Sequence, residues 1–300
     1  MMINKIDILH KIFFITISSI VLLVNMFLSD LITLEIQVYV LFVLVSIIGI
    51  PHGFFDFTIG KNIFKEYTKY WIFPFSAAYL TVVLIYFLLW TNSPVFSLLF
   101  FLLISALHFG YEDYNYLINI KKRKIINIDI MVKGIIIIVT PIIFHYGEVA
   151  NLFFILTSYN FNFIEISFFY KILYVFFLIF YIFLEKNKRF LYKFEELIYL
   201  TNFIVLPPLI SFTIYFCFLH SVRHFFESIF IYKHVPENFT VAGFIITIIL
   251  ISAVFSLLTV FIIVNNYNMN IDETIVRYIF IFLACLTLPH MIFNMKYGEK

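Results

Sequence analysis

Long apolar runs alternate along this chain with short polar segments. Within the runs the apolar residues follow one another without the alternation of a half-buried strand, so the pattern predicts helices. A helix needs about 20 apolar residues to cross a membrane, and most of the runs approach that length. Nine spans are predicted, at residues 12–28, 36–50, 71–90, 94–110, 128–146, 165–184, 207–232, 240–264 and 275–295.

The composition indicates the same class of protein. Of the 300 residues, 63% are hydrophobic and 13% are charged, and the mean hydropathy is +1.02, which is outside the range of soluble domains. Backbone groups in lipid must be bonded internally, which restricts spans to helices or a closed barrel. We therefore expect an all-α fold, a polytopic membrane helix bundle of about nine transmembrane helices, forming one integral membrane domain over residues 1–300.

Charge and cysteine content narrow the function classes. The net charge of +2 gives no reason to propose a nucleic-acid partner, and the two cysteines lie inside apolar runs, which argues against a disulfide framework or a thiolate zinc site. Basic residues gather in loops at 61–69, 121–124 and 186–193, on the same predicted side as the amino terminus. By the positive-inside rule we expect a multi-pass protein of the inner (cytoplasmic) membrane with a cytoplasmic amino terminus.

Histidines are the main candidates for chemistry. Ionisable residues within membrane spans are costly and usually functional, and imidazole is a ligand for iron, copper and zinc. A single membrane histidine is better interpreted as a packing residue or a hydrogen bond between helices, but several together favour a shared metal. Five lie within or at the ends of apolar runs: His52, His108, His220, His224 and His290. Three lie at span ends or in loops and are interpreted as solvated or interfacial: His10, His145 and His234.

Acidic residues follow three of these histidines at helical spacing. A metal-bound histidine usually gives its second N–H to a carboxylate or a carbonyl. Residues three or four apart lie on the same face of a helix. The predicted carboxylate partners are Asp56 for His52, Glu112 for His108 and Glu227 for His224.

Prolines mark the histidine segments. Pro51 and Pro289 each stand directly before a histidine and are predicted to break their helices. Such breaks are tolerated at membrane depth only beside buried protein or a cavity. Pro207 and Pro208 predict a helix start, which would put His220 near the middle of its span.

Four segments together resemble a known family. They read P-H-G-F-F-D at 51–56, H-F-G-Y-E-D at 108–113, H-S-V-R-H at 220–224 and L-P-H-M at 288–291. In this order they resemble the signatures of the Brp/Blh family, bacterial and archaeal membrane beta-carotene 15,15'-dioxygenases found alongside retinal-binding rhodopsins. The family's first motif usually reads P-H-G-A-L-D, so this chain is bulkier there. Residues 51–295 form the family-like core, and residues 1–50 carry no family signature.

The resemblance implies a non-haem Fe(2+) enzyme. Carried over residue by residue, the metal ligands and catalytic residues are His52, His108, His220 and His224, with His290 as a pocket-lining residue or an alternate ligand. The implied reaction is cleavage of beta-carotene by O2 at the central 15,15' double bond, giving two all-trans-retinal molecules. A functional link to a retinal-binding rhodopsin follows from the same resemblance.

An apolar polyene offers no hydrogen-bonding group, so an aromatic tunnel must position it. Six aromatic residues flank the motifs and are predicted to line that tunnel, although each also suits ordinary packing: Phe54, Phe55, Phe109, Tyr111, Phe225 and Phe226. A substrate dissolved in the lipid bilayer would enter sideways from the membrane.

Several alternatives stay open at this point. A non-enzymatic carotenoid- or retinal-binding membrane protein would use the same tunnel, and a dioxygenase acting on a different carotenoid would use the same motifs. A di-iron desaturase is disfavoured because no two histidines are adjacent. A transporter is disfavoured because no repeated halves are found, and a Ser-His hydrolase because Ser221 lacks a nucleophile elbow. The number of histidines that bind the metal, three, four or five, is also open.

Overall fold

The structure is a computed structural model that describes residues 2–118, 128–184, 190–231, 235, 239–266 and 270–297. Within these residues the regular elements are all helical. The α-helices are α1 (Met2–Leu28), α2 (Leu34–Leu44), α3 (Phe55–Phe64), α4 (Ile72–Asn92), α5 (Pro94–Ile118), α6 (Ile128–Phe144), α7 (Tyr146–Thr157), α8 (Phe168–Leu184), α9 (Phe190–Val205), α10 (Pro208–Thr213), α11 (Val222–Phe226), α12 (Val241–Asn266) and α13 (Ile271–Tyr297).

Among the described residues, seven helical stretches are long and apolar enough to cross a membrane. They are Ile6–Leu31, Leu34–Phe64, Ile72–Asn92, Pro94–Asp113, Pro208–Phe230, Val241–Thr259 and Ile271–Asn294. The pair α6 and α7 forms an eighth candidate that is bent by 107°, and α8 is apolar but shorter. The all-α, membrane-capable fold class is therefore confirmed, whereas the predicted count of nine spans is not.

The outer faces of these helices suit a lipid environment. On α8, Phe168 is 77% exposed and Phe176 and Phe180 are each 63% exposed. Large apolar side chains on such a face would be unfavourable in water and are favourable against lipid tails. The same α8 buries only Leu178 and Ile182, so it presents most of its surface outward.

The α-helix is interrupted around Pro51, as predicted, but the predicted end of the span at residue 50 is wrong. The span Leu34–Phe64 continues through it, as α2, a π-helical turn (Val45–Gly49), a 3₁₀ turn (Ile50–Phe54) and α3. Pro51 lies in the first turn of the 3₁₀ segment, where its missing N–H needs no partner.

The helix start at Pro208 is confirmed. Pro207 is extended, with ψ of 143°, and α10 begins directly after it. The helical chain then continues through a π-helical segment (Ile214–Ser221), α11 and a second π-helical turn (Glu227–Ile231). Pro289, by contrast, lies inside the continuous helix α13, so the predicted break there is wrong. Proline in membrane helices is tolerated because neighbouring groups satisfy the freed carbonyl.

The chain divides into two compact units. The first contains Met1–Gln37, Ser105–Phe154 and Ser158–His220, and the second contains Val38–Ile104, Ile155–Thr157 and Ser221–Lys300. The single-domain organisation expected from the sequence stays a prediction.

In the first unit, α9 is the central element. It packs against α1, α6, α8 and α10, although it lies between two predicted spans and was not itself expected. It buries polar residues, and Glu196 forms an ion pair with Lys133 of α6. Buried charges in a membrane protein must be paired, so this ion pair fixes α6 to α9.

In the second unit, α13 packs against α3, α4 and α12. One apolar cluster contains Phe55, Ile229, Phe244 and Ile248. A second contains Ile59, Phe75 and Phe293. These clusters hold α3 and α13 beside the helix that follows Ser221.

Candidate functional site: two groups of buried histidines

The first unit contains a pair of facing histidines. His108 lies on α5 and His220 lies in the π-helical segment, and both are buried. Their Nε2 atoms are 3.1 Å apart. The ring of Phe109, a predicted tunnel residue, packs against His220 with centroids 4.9 Å apart. The pair is thus closed on one side by an aromatic ring.

A second polar contact lies beside this pair. Tyr215 donates a hydrogen bond of 2.9 Å to Asp113, and its ring packs against Phe109 at 5.3 Å. No role was predicted for Tyr215 or Asp113 from the sequence, although Asp113 ends the second motif. Glu112, the predicted carboxylate partner of His108, is buried, and that pairing stays a prediction. Tyr111 is also buried.

The second unit contains a group of three histidines, His52, His224 and His290. Their ring centroids are 5.4 Å apart for His52 and His224, and 5.2 Å for each of the other two pairs. All three are at least 92% buried, with exposures of 8%, 3% and 4%. Three imidazole rings therefore share one buried space.

Each of these three rings has a polar group at Nδ1. The Nδ1 atom of His52 contacts the Gly49 carbonyl and lies 3.2 Å from the Ser221 hydroxyl. The Nδ1 atom of His224 lies 3.4 Å from the Ser228 hydroxyl. A carbonyl only accepts, so Gly49 holds a proton on Nδ1 of His52 and makes its Nε2 the acceptor nitrogen, which is the usual tautomer of a metal-binding histidine with an outer partner.

The partner of Asp56 differs from the predicted one. The Nδ1 atom of His290 donates to both Asp56 oxygens, at 2.8 and 3.0 Å, so the predicted Asp56–His52 pairing is wrong. His52 lies in a 3₁₀ turn, where three residues complete a turn and position i+4 no longer shares its face. Tyr79 also donates to Asp56, at 3.0 Å.

Asn294 contacts two of these histidines and was not predicted from the sequence. Its side-chain nitrogen lies 2.7 Å from Nε2 of His224 and 3.3 Å from Nε2 of His290. The signal was present, since Asn294 is a polar residue four positions after His290 in an apolar segment. Ser221 was weighed only as a possible nucleophile, and its hydroxyl instead lies 3.2 Å from Nδ1 of His52.

The remaining predicted tunnel residues lie on the second unit. Phe55 is fully buried and packs against His224 at 6.1 Å and Phe225 at 5.4 Å. Phe54 and Phe225 are partly buried around the same apolar cluster. Phe226 packs against Phe230 at 6.2 Å. These contacts fit an aromatic wall as well as ordinary packing, so the tunnel stays a prediction.

A separate apolar pocket of about 50 Å³ also lies in the second unit. It is formed by the span Leu34–Phe64, α12 and α13, and Ile50 and Leu283 are among its lining residues. None of the six predicted tunnel residues lines it.

The three histidines assigned to span ends or loops have different outcomes. His10 is 3% exposed and its Nε2 atom lies 2.8 Å from the Phe218 carbonyl, so it is not solvated, and its interfacial position stays a prediction. It instead bonds α1 to the π-helical segment. His145 is partly buried, 3.7 Å from Glu148, and His234 lies outside the described residues.

Glu227, the predicted carboxylate partner of His224, is buried, and its pairing stays a prediction.

The donor chemistry of the two histidine groups suits a divalent transition metal. Imidazole nitrogen binds such ions at about 2.1 Å, so two nitrogens at a right angle would lie about 3 Å apart. The observed 3.1 Å between the Nε2 atoms of His108 and His220 fits that value. However, no group of three or more His, Cys, Asp or Glu side chains in the described part of the chain is arranged around one ion.

Comparison with known proteins decides the family. The family model described as beta-carotene 15,15'-dioxygenase matches residues 43–296. The chain belongs to the beta-carotene 15,15'-dioxygenase family. A protein of that name from an uncultured marine bacterium, 66A03, is 33% identical over 261 residues, covering 83% of this chain and 90% of that protein. No solved structure matches the chain.

Membership places the chain among the carotenoid dioxygenases, and the resemblance found from the motifs is confirmed. The matched range 43–296 contains all five histidines of the two groups, as well as Asp56 and Asn294. It excludes nearly all of α1 and α2. Residues 1–42, which lack the family signature, nonetheless include His10, a hydrogen-bond partner of the segment that carries His220.

Proposed function

We propose that this protein cleaves beta-carotene with O2 at the central 15,15' double bond and releases two all-trans-retinal molecules. The observation that carries the proposal is the burial of five imidazoles in helices whose outer faces are apolar. Family membership supports the carotenoid as the class of substrate.

The proposed cofactor is Fe(2+), with His52, His108, His220 and His224 as its ligands and His290 as an alternate ligand. When bound, the iron supplies the O2 chemistry that no protein side chain provides. The chain's own contribution is to fix the imidazole tautomers. Gly49 and Asp56 accept the Nδ1 protons of His52 and His290, so that in each neutral ring Nε2 is the acceptor nitrogen, the one that would bind the ion.

The stoichiometry of the reaction leaves the protein side chains the task of positioning the reactants. One carbon–carbon double bond breaks and two carbon–oxygen double bonds form, with one oxygen atom of O2 in each aldehyde. The reaction consumes no proton and no external reductant. A general acid or base is therefore unnecessary, and Asp56, bonded to His290 and Tyr79, serves to orient an imidazole.

Orientation of the substrate depends on shape. A polyene has no polar group, so its reacting bond must be set by packing along its length. Phe109 beside His220 and Phe55 beside His224 are proposed to contact it. We further propose that the enzyme spans the inner membrane with a cytoplasmic amino terminus, takes its substrate from the bilayer and supplies retinal to a rhodopsin.

Co-expression in a bacterial host that accumulates beta-carotene tests the proposal. Chromatography should show two molecules of retinal for each molecule of beta-carotene lost, and a chelator of iron should stop both changes. A longer apocarotenal would indicate cleavage at another bond. Pigment that copurifies unchanged with iron-supplied protein would indicate the binding-protein alternative.

A further inference from the structure

Asn294 holds an unusual position between two buried imidazoles. It lies one turn after His290 on α13 and is 6% exposed. Its amide nitrogen reaches Nε2 of His224 at 2.7 Å and Nε2 of His290 at 3.3 Å. One side chain therefore contacts the same nitrogen atom on both rings.

The proton positions follow from the outer partners. A carboxylate only accepts hydrogen bonds, so His290 must carry its proton on Nδ1, which faces Asp56. In a neutral ring Nε2 is then an acceptor. The amide of Asn294 has two N–H groups, enough to donate one to each Nε2. His224 has the same tautomer, because the Asn294 nitrogen only donates and so requires an acceptor at Nε2; its Nδ1–H then faces the Ser228 hydroxyl, which can accept.

Each Nε2 atom has a single lone pair. It can accept an N–H from Asn294 or bind a metal ion, and it cannot do both. We infer that Asn294 is a positioning residue that competes with a metal ion for His224 and His290: its amide holds both Nε2 atoms toward one point, and it would have to leave before either nitrogen could bind the ion. This inference rests on the proposed function, and it makes His290 a ligand together with His224.

A cobalt titration tests the competition. The purified protein, stripped with a chelator, is titrated with Co(II), and binding is followed by the visible absorption of the ion. Asn294→Leu removes the two competing hydrogen bonds, so it should bind Co(II) about tenfold more tightly than the wild type. Asn294→Ala should behave in the same way. Equal or weaker binding by both variants would overturn the inference.

Asn202 provides a matched control. It is also a buried asparagine, 2% exposed, and its amide donates at 3.0 Å to Ser18, away from the described histidine contacts. Asn202→Leu should lower the thermal stability and leave the Co(II) dissociation constant unchanged. A tenfold tightening in this control as well would also overturn the inference, because the effect would not be specific to Asn294.

A measurement on the wild type covers the case in which the variants do not fold. With ¹⁵N-labelled histidine, the metal-free protein should show Nδ1–H tautomers for His224 and His290, and Zn(II) should shift the Nε2 signals of both. Nε2–H tautomers would contradict the inference. If the wild type forms retinal and binds Co(II) but these results fail, only the role of Asn294 is wrong. If it neither binds Co(II) nor forms retinal, the proposed function is wrong.

Discussion

Tyr215 and Asp113 form a buried hydrogen bond of 2.9 Å that accompanies the contact between His108 and His220. Asp113 is five residues after His108, and Tyr215 is five residues before His220. Because the π-helical segment bonds residues five apart, Tyr215 and His220 are neighbours along its axis. The two contacts therefore join the same two helical segments, which run in opposite directions, and fix their register.

Tyr215→Phe should impair retinal formation without removing the ring that packs on Phe109. The substitution leaves the buried carboxylate of Asp113 without this donor, which costs about 1.5–3 kcal/mol for a hydrogen bond to a charged group. We expect a lower thermal stability and at least a tenfold lower rate of retinal formation per folded protein. Asp113→Asn keeps a carbonyl acceptor and should retain more activity than Asp113→Leu.

Tyr86→Phe is the control for this substitution. Tyr86 is 1% exposed and donates at 2.8 Å to the Ser97 carbonyl in the second unit, and no described contact joins it to a histidine. It should lose stability but keep its rate of retinal formation per folded protein. Equal rates for Tyr215→Phe and Tyr86→Phe would show that the Tyr215–Asp113 bond does not position the histidine pair.

Gly110→Ala should be strongly destabilising, because Gly110 lies where α5 and α6 meet. A methyl group on Gly110 would collide with the backbone carbonyl of Ile130, and one on Gly134 would collide with that of Ala106. Small residues allow this close approach of helices in membranes. Separating α5 from α6 would displace His108, two residues away. We expect little folded protein and loss of retinal formation, measured by membrane yield and chromatography.

Gly53→Ala tests the same change in the other glycine-containing motif. An added methyl group on Gly53 meets no atom within 4 Å, and no described glycine has a positive φ. Gly53→Ala should therefore fold and remain active. A loss as severe as that of Gly110→Ala would contradict a purely steric explanation.

The fold class could be predicted from the sequence because lipid imposes continuous apolar helices, whereas some individual helices could not. Helix α9 was missed because the seventh span was placed to begin at Pro207, and Glu195, Glu196 and Asn202 interrupt the apolar pattern before it. These residues are buried in the first unit. The ion pair with Lys133 explains how one of them, Glu196, can be buried as a charged group. Burial of this kind depends on partners distant in sequence, which a local hydropathy pattern does not contain.

The candidate site, too, could be predicted only in part: its histidines could be predicted, but their partners and their grouping could not. Motif histidines are recognisable because a polar ring in an apolar run is costly. The partner of Asp56 was not predictable, because His290 is 234 residues away and a 3₁₀ turn removes His52 from its helical face. The grouping of His108 with His220, and of His52 with His224 and His290, likewise required tertiary structure.

Asp56→Asn should reduce both metal retention and retinal formation without abolishing them. The amide keeps one oxygen as an acceptor for His290 or Tyr79, but both bonds converge on a carboxylate here. Loss of an outer partner of this kind typically lowers metal affinity or activity about 10–100-fold. Iron per protein and retinal rate should fall together. An unchanged rate would assign Asp56 a structural role only, and Tyr79→Phe should give a milder loss.

Alanine substitutions of the histidines test the proposed ligand set. His108→Ala, His220→Ala and His224→Ala should each abolish retinal formation, because each removes an imidazole for which no neighbouring group substitutes. His145→Ala is the matched control, since His145 is only partly buried and lies near Glu148, and it should retain activity. Iron content and membrane yield separate loss of the metal from loss of the fold.

Comparison with His290→Ala shows whether His290 binds the metal or only lines the pocket. If His290 binds the metal together with His224, its removal should lower iron content as much as His224→Ala does. If it only lines the pocket, iron content should persist while the retinal rate falls. Full activity in His108→Ala, His220→Ala or His224→Ala would remove that residue from the ligand set, and the five buried histidines would then divide into ligands and positioning residues by measurement.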